Sequence, residues 1–175
     1  MIIWINGPYG VGKSTLAEAL QQKLPNSFLF DAELVGDAIR ENLPDQFRHE
    51  TYEEFPLWHE MCCRLLKELS AIYSGHVFVP MTLKRPESHR AIIRHLRDAG
   101  VSVAHIMLEA DPETVHDRIL MRGEEENCWC IQQIPDCLDK QKAYPCDLRL
   151  CTQGKSPEEL ADAVIQALEL TRCVL

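Results

Sequence analysis

A short glycine-rich segment near the N-terminus constrains this chain more than any other feature of its sequence. Residues 7–14, GPYGVGKS, follow the pattern G-x-x-x-x-G-K-[ST], in which inward-facing backbone N–H groups surround a phosphate. The pattern carries weight when a buried strand precedes it and a helix follows it. Residues 1–6 are apolar as in a buried strand, and residues 15–24 place leucines and alanines on one helical face. The segment therefore predicts a phosphate-binding P-loop.

The residues of this loop predict a site for ATP and Mg²⁺. We expect Lys13 to bridge the β- and γ-phosphates and the Ser14 hydroxyl to ligate Mg²⁺. Thr15 is placed to touch the α-phosphate, and the positive end of the following helix favours the anion. The loop around the β-phosphate is formed by Gly7, Tyr9, Gly10, Val11 and Gly12.

Alternating apolar and amphipathic segments predict the fold around the loop. Further strands are predicted at residues 27–30, 76–81, 101–108 and 148–151. Helices are predicted at residues 15–24, 34–42, 55–73, 86–99, 112–122, 131–142 and 156–171. This order predicts an α/β fold, a three-layer P-loop NTPase domain with a five-stranded parallel sheet, similar to nucleoside-monophosphate kinases. We expect a single domain over residues 1–175, with a lid segment at about 123–133.

Charge and composition argue against several kinds of partner. Lys and Arg number 18 against 27 Asp and Glu, which gives a net charge of −9. An acidic chain is a poor ligand for nucleic acid or for an anionic membrane. No apolar run reaches the ~18 residues of a membrane span, and the N-terminus lacks the basic region of a signal peptide. We therefore expect a cytoplasmic protein whose eight cysteines are thiols.

Missing motifs narrow the class of P-loop protein. The sequence contains neither the guanine-reading N-K-x-D nor the D-x-x-G switch of GTPases, and 175 residues are too few for a motor or helicase. A P-loop domain of this length is typical of kinases that act on nucleotides or other small molecules.

Two carboxylates follow the second predicted strand. Asp31 and Glu33 lie 18 and 20 residues after Lys13, where shikimate-kinase-like enzymes carry the acids of a D-x-D motif. A carboxylate facing the γ-phosphate can accept the proton of an acceptor hydroxyl or hold Mg²⁺ through water. We predict that Asp31 is the base and a metal-linked residue, and that Glu33 orients the acceptor. In the alternative interpretation, Asp31 only caps the next helix. The third strand does not end in the Asp of a Walker-B motif, so Asp31 or water must complete the metal shell.

Two arginines lie one turn apart on the helix predicted at residues 112–122. Arg118 and Arg122 share one face and resemble the lid arginines of nucleoside-monophosphate and shikimate kinases. In those enzymes the first stacks on the adenine and the second reaches the transferring phosphate, which implies nucleotide-binding and catalytic roles here. The alternative is a solvated helix face, with Glu113 and Asp117 as ion partners.

Two further residues are candidates for the acceptor side. Arg40 could bind an anionic part of the acceptor or lie on the surface. Trp58 could line an acceptor pocket, although an apolar stripe on a helix is more often core.

Several longer segments together resemble the bacterial tunicamycin-resistance proteins. They are MIIWINGPYGVGKS, DAELVGDAIR, FPLWHE and VPMTLKRPE, with Asn127, Trp129 and Gln133 in the lid. The chain is also similar, more distantly, to chloramphenicol phosphotransferase and shikimate kinase. The resemblance implies an ATP-binding protein that protects cells from a uridine-containing antibiotic. Members with a longer basic C-terminal segment are linked to membranes, whereas this chain stops at Leu175, so we expect no membrane attachment.

Three hypotheses follow from the sequence. The first is an ATP- and Mg²⁺-dependent phosphotransferase acting on a hydroxyl of a small molecule such as tunicamycin or another nucleoside-like compound. The second is a protein that uses ATP to order the lid and sequesters the drug without chemistry. The third is a nucleoside-monophosphate or sugar kinase on the same scaffold.

Overall fold

A computed structural model of the protein describes residues 1–142 and 144–170. Within them, five strands form one parallel sheet in the order β2-β3-β1-β4-β5. The strands are β1 (Ile2–Asn6), β2 (Ser27–Leu29), β3 (His76–Pro80), β4 (Val103–Glu109) and β5 (Leu148–Cys151). In the register of the sheet, Ile3 of β1 lies between Phe78 of β3 and Ala104 of β4. The predicted fold class is confirmed.

The helices follow the predicted order. They are α1 (Lys13–Lys23), α2 (Ala32–Glu41), α3 (Pro56–Ile72), α4 (Pro86–His89), α5 (His95–Asp98), α6 (Pro112–Leu120), α7 (Trp129–Gln132), α8 (Ile134–Gln141) and α9 (Pro157–Ala167). A π-helical stretch at Arg90–Arg94 joins α4 to α5. Single 3₁₀ turns at Asp45–Phe47 and Tyr52–Glu54 lie between α2 and α3. The predicted end of the last helix at Thr171 lies outside the described residues.

Side-chain alternation along β1 creates the three layers. Ile3 and Ile5 face a core shared with α1 and α9, whereas Ile2 and Trp4 face a core shared with α2, α3 and the α4–α5 segment. Because both faces of a parallel sheet are covered by helices, a near-continuous apolar strand is the expected sequence. None of the helices in the described ranges is long and apolar enough to cross a bilayer.

Local capping explains where two of the helices begin. The Asp111 carboxylate accepts the Thr114 N–H at 2.6 Å, and Pro112 occupies the first turn of α6. Ser156 and Glu159 form a reciprocal capping box at the start of α9. Both caps are readable in the local sequence, as Asp111-Pro112 before α6 and as Ser156 with Glu159 at the start of α9.

A buried amide at the end of β1 holds the loop that follows β3. The Asn6 side-chain oxygen accepts the N–H groups of Gly7 (2.8 Å) and Leu83 (2.9 Å). Its amide nitrogen donates to the Leu83 carbonyl (3.0 Å) and lies 3.2 Å from Nε2 of His105. The other ring nitrogen of His105, Nδ1, lies 2.9 Å from the Pro145 carbonyl, to which it can only donate. His105 is therefore neutral, with its proton on Nδ1 and Nε2 accepting from Asn6.

We expect the folded protein to lose stability as the pH falls from about 6.5 to about 4, because of His105. Burial lowers the pKa of this histidine to about 4, so between these pH values the unfolded chain binds a proton that the folded chain excludes. Stability from this residue is complete above pH 6.5 and falls towards pH 4, by about 3 kcal/mol in total. Urea unfolding of the wild type and His105→Gln at several pH values measures the difference. Neighbouring His89, Arg97 and Asp147 are present in both proteins, so equal pH slopes would contradict the assignment.

Candidate functional site

The P-loop connects β1 to α1 and needs glycine at two crowded positions. Gly7 and Gly10 have φ of 147° and 81°, in the region that side chains disfavour. A Cβ on Gly7 would lie 2.7 Å from the Leu108 carbonyl oxygen, and one on Gly10 would lie 2.7 Å from the Ile119 side chain. The loop is thus packed closely against β4 and α6, which restricts its shape.

The Lys13 side chain folds back over this loop. Its ammonium donates to the carbonyls of Gly7 (3.1 Å) and Pro8 (2.9 Å) and lies 5.5 Å from the centre of the Tyr9 ring. Burial lowers the pKa of Lys13 to about 8. A half-buried cation whose hydrogen bonds go to neutral carbonyls can exchange them for an anion such as a phosphate.

A small cavity of about 130 Å³ lies beside Lys13. Its charged and hydroxylic lining consists of Tyr9, Lys13, Ser14, Glu33, Thr82, Arg122 and Glu124. Lys13 and Ser14 of the predicted phosphate site therefore meet Arg122 at one place, which the sequence alone could only suggest.

The two predicted carboxylates have different surroundings. Asp31 is the N-cap of α2, and its side chain accepts the Glu33 N–H at 2.9 Å. Glu33 lines the cavity beside Lys13, and Asp31 is not part of its lining. Burial and then the charge of Asp31 raise the pKa of Glu33, while Lys13 opposes this shift. Glu33 is thus the carboxylate of the pair that faces the phosphate site in this structure.

The oxygen donors around the cavity suit a magnesium ion. The Ser14 hydroxyl and the Glu33 carboxylate line it together with Thr82, which follows β3 where a Walker-B acid would stand. The Thr82 hydroxyl donates to the Gly7 carbonyl at 3.0 Å, so it braces the P-loop. Hydroxyl and carboxylate oxygens, completed by phosphate and water, are the ligands that Mg²⁺ prefers.

A second cavity of about 290 Å³ also borders the P-loop, at Gly10, Val11 and Gly12. Arg118 and Arg122 line it together with Thr15, Thr152 and Lys155. The Arg118 guanidinium donates to the Thr152 hydroxyl (2.8 Å), the Thr152 carbonyl (3.1 Å) and the Val11 carbonyl (3.2 Å). These bonds hold the guanidinium in the cavity wall, where a planar base could stack on it.

Trp58 and Arg40 lie near α2 in different settings. The Trp58 side chain is fully buried, and its indole N–H donates to the Ala32 carbonyl at 2.8 Å. In this structure it packs against the start of α2, and it has no exposed surface that an acceptor could contact. Arg40 is half-buried, with its guanidinium carbon 4.4 Å from the centre of the Tyr52 ring, and it remains a candidate on the acceptor side.

The lid segment, residues 123–133, begins with irregular structure and ends with α7. Trp129 of α7 meets the Tyr9 ring edge-on, with ring centres 5.1 Å apart. Its indole N–H donates to the Glu50 carboxylate at 2.6 Å, in the segment between α2 and α3. The lid thus contacts both the P-loop, at Tyr9, and the segment between α2 and α3, at Glu50.

Sequence reasoning overlooked three residues that line the two cavities, Thr82, Thr152 and Lys155, and one that contacts the lid, Lys84. Thr82 and Lys84 follow β3, and Thr152 and Lys155 follow β5, at the edge of the sheet where ligands bind in such folds. Polar residues directly after predicted strands were the signal that could have found them.

Comparison with known proteins gives a consistent assignment. The sequence profile of the AAA-domain family matches residues 3–130. The tunicamycin resistance protein of Deinococcus radiodurans is 30% identical, with a TM-score of 0.82 over 97% of this chain and 96% of that one. The chain belongs to the tunicamycin-resistance family of AAA-domain P-loop proteins. A comparison with curated protein sequences gives no significant match.

Kinases share the fold of this family at lower identity. The APS kinase of Mycobacterium tuberculosis is 20% identical, with a TM-score of 0.64 over 96% of each chain. The shikimate kinase of Aquifex aeolicus is also 20% identical, with a TM-score of 0.60 over 97% of this chain and 96% of that one. The chain thus has a P-loop kinase-like architecture.

Proposed function

We propose that the protein is an ATP- and Mg²⁺-dependent phosphotransferase that acts on a hydroxyl of a small molecule. The observation that carries the proposal is the cavity beside the P-loop, where a cation (Lys13), a carboxylate (Glu33) and a hydroxyl (Ser14) face one another. A general phosphate-binding protein needs the cation and the loop. Phosphoryl transfer to a hydroxyl also needs a carboxylate that faces the same space.

In the proposed mechanism, the adenine stacks on Arg118 and the phosphates lie along the P-loop. Lys13 exchanges the Gly7 and Pro8 carbonyls for the β- and γ-phosphates, and Arg122 reaches them from the lid side. Ser14 would hold Mg²⁺, which neutralises phosphate charge when bound.

The transfer step uses Glu33 as the base. The acceptor oxygen forms a bond to the γ-phosphorus, the bond from that phosphorus to the bridging oxygen breaks, and ADP leaves. The acceptor proton passes to the Glu33 carboxylate, which is a better base because its surroundings raise its pKa. Asp31 shapes this site by capping α2, and we propose that its carboxylate also binds water around the metal.

We further propose that the acceptor is tunicamycin or another nucleoside-like compound, and that the protein works in the cytoplasm, where ATP is supplied. The 30% identity to the Deinococcus radiodurans tunicamycin resistance protein over nearly the whole chain supports this acceptor class. Arg40, next to Tyr52, is the proposed contact for an anionic part of the acceptor.

A second candidate function is sequestration of the drug without chemistry. The observation that favours it lies just after β3: neither Met81 nor Thr82 is the acid that usually completes the metal site. In that case ATP would order the lid, and Glu33 would bind the ligand instead of accepting its proton.

Mass spectrometry distinguishes the two functions. The protein is incubated with Mg·ATP and a panel containing tunicamycin, nucleosides and sugars, and each compound is examined for an added phosphoryl group. We expect one compound to gain a phosphate as one equivalent of ADP forms. Retention of tunicamycin by the protein with no phosphorylated product and intact ATP would contradict phosphotransfer and support sequestration.

A further inference from the structure

A buried lysine outside the P-loop connects the sheet to the lid. Lys84 follows β3, and its side chain is only 8% exposed. Its ammonium donates to the Gln133 side-chain oxygen at 2.5 Å and lies 3.3 Å from a carboxylate oxygen of Asp136. It also lies 5.9 Å from the centre of the Trp129 ring. Trp129 belongs to α7, Asp136 belongs to α8, and Gln133 lies between the two helices. One cation therefore contacts the end of the lid and the start of α8 at three points.

The backbone that carries Lys84 is itself held rigidly. The buried carboxylate of Glu53 accepts the N–H groups of Lys84 and Arg85, each at 3.1 Å. The adjacent Glu54 pairs with the Arg85 guanidinium at 2.8 Å. A buried carboxylate that accepts two backbone N–H groups fixes the loop after β3. The backbone that carries the lysine is therefore rigid.

The contacts of Lys84 lead back to the reacting centre. Trp129 packs edge-on against Tyr9, and the Tyr9 ring lies 5.5 Å from the Lys13 ammonium. Trp129 also donates to Glu50 across the cleft. The lid residues Glu124 and Cys130 line the phosphate cavity, so a lid held in place limits the access of water to it. Exclusion of water favours transfer to an acceptor over hydrolysis.

We propose that Lys84 is a positioning residue that holds the lid closed through Gln133, Asp136 and Trp129, and thereby couples ATP cleavage to transfer. The proposal rests on the proposed phosphotransferase function for its kinetic part. Its structural part, the position of Trp129, does not depend on that function.

The chain offers a matched control. Lys140 also pairs with Asp136, at 2.7 Å, but it lies on the exposed side of α8 and pairs within that helix. Lys84→Met and Lys140→Met each remove one lysine partner of the same carboxylate. Only the first removes the contacts with Gln133 and Trp129.

Two readouts test the proposal in the full-length protein. Acrylamide quenching of tryptophan fluorescence reports on Trp129, because Trp4 and Trp58 are fully buried. We expect Lys84→Met to increase quenching with and without Mg·ATP. We also expect it to lower acceptor phosphorylation about 10- to 100-fold with little change in KM for ATP, and to raise ADP formed per product phosphate several-fold. Lys140→Met should match the wild type in both readouts.

The outcomes separate this proposal from the proposed function. If Lys84→Met shows the same quenching and the same ADP formed per product phosphate as the wild type, the proposed role of Lys84 is overturned. If the wild type transfers no phosphate, the quenching comparison still decides whether Lys84 holds the lid. If Lys84→Met does not fold, Gln133→Leu removes the lid partner instead and is expected to give the same increase in quenching and loss of coupling. An unchanged Gln133→Leu would then overturn the proposal.

Discussion

Replacement of Lys13 by methionine is expected to abolish phosphotransfer, lowering kcat/KM by about a thousandfold or more. Methionine keeps a flexible apolar stem of similar length and removes the charge that would contact the β- and γ-phosphates. Within the described residues, the hydrogen bonds of this ammonium go to the Gly7 and Pro8 carbonyls of the loop. Removing a cation whose burial already lowers its pKa should cost little stability.

Lys23→Met is the matched control for this substitution. Lys23 ends the same helix and pairs on the surface with Asp162 at 2.5 Å, where an ion pair contributes little. Calorimetric titration with ATP should show weaker binding, and steady-state kinetics should show lower activity, in Lys13→Met alone. The wild type, Lys13→Met and Lys23→Met should have similar melting temperatures. A Lys13→Met protein that keeps a tenth of wild-type activity would contradict a P-loop role for this lysine.

The second large effect is expected from Glu33→Gln, which should lower kcat by about 10²- to 10⁴-fold while ATP affinity changes little. Glutamine preserves the shape of the side chain and cannot accept the acceptor proton. Asp31→Asn is the informative comparison, because asparagine caps a helix as well as aspartate does and removes only the charge. We expect Asp31→Asn to stay within about tenfold of wild-type kcat. A large loss in Asp31→Asn with a small one in Glu33→Gln would return the role of base to Asp31.

The pH dependence of kcat gives an independent check on Glu33. Burial and Asp31 raise the pKa of Glu33, so activity should fall as the pH drops through a value above that of an ordinary glutamate. This acidic limb should be absent from the residual activity of Glu33→Gln. An identical limb in that variant would show that another group controls the rate.

The start of α2 illustrates how far sequence reasoning reached at the site. The helix was predicted from residue 34, but it begins at Ala32, because the Asp31 side chain accepts the Glu33 N–H. The alternative interpretation of Asp31 as a cap therefore describes its observed contact. The two-residue difference matters, because it decides which of two nearby carboxylates faces Lys13.

Features that depend on neighbours in the chain could be predicted from the sequence. Three such features are the P-loop, the order of strands and helices, and the caps at Asp111 and Ser156. Each involves residues a few positions apart, so its physical cause is present in a short segment. The parallel sheet followed as well, since alternating apolar strands and amphipathic helices have few other ways to bury their faces.

Contacts between distant segments were decided only by the tertiary structure. Trp58 is core because its indole reaches the Ala32 carbonyl, and Arg118 lies in a cavity wall because Thr152 is opposite. Lys84 meets Gln133 and Asp136 across about 50 residues, and these partners contribute to the burial of its side chain. A lysine in a loop is ordinarily solvated, and nothing near Lys84 in the sequence indicates otherwise. Burial of such a charge depends on partners brought together by folding, and the periodicity of a single segment carries no record of them.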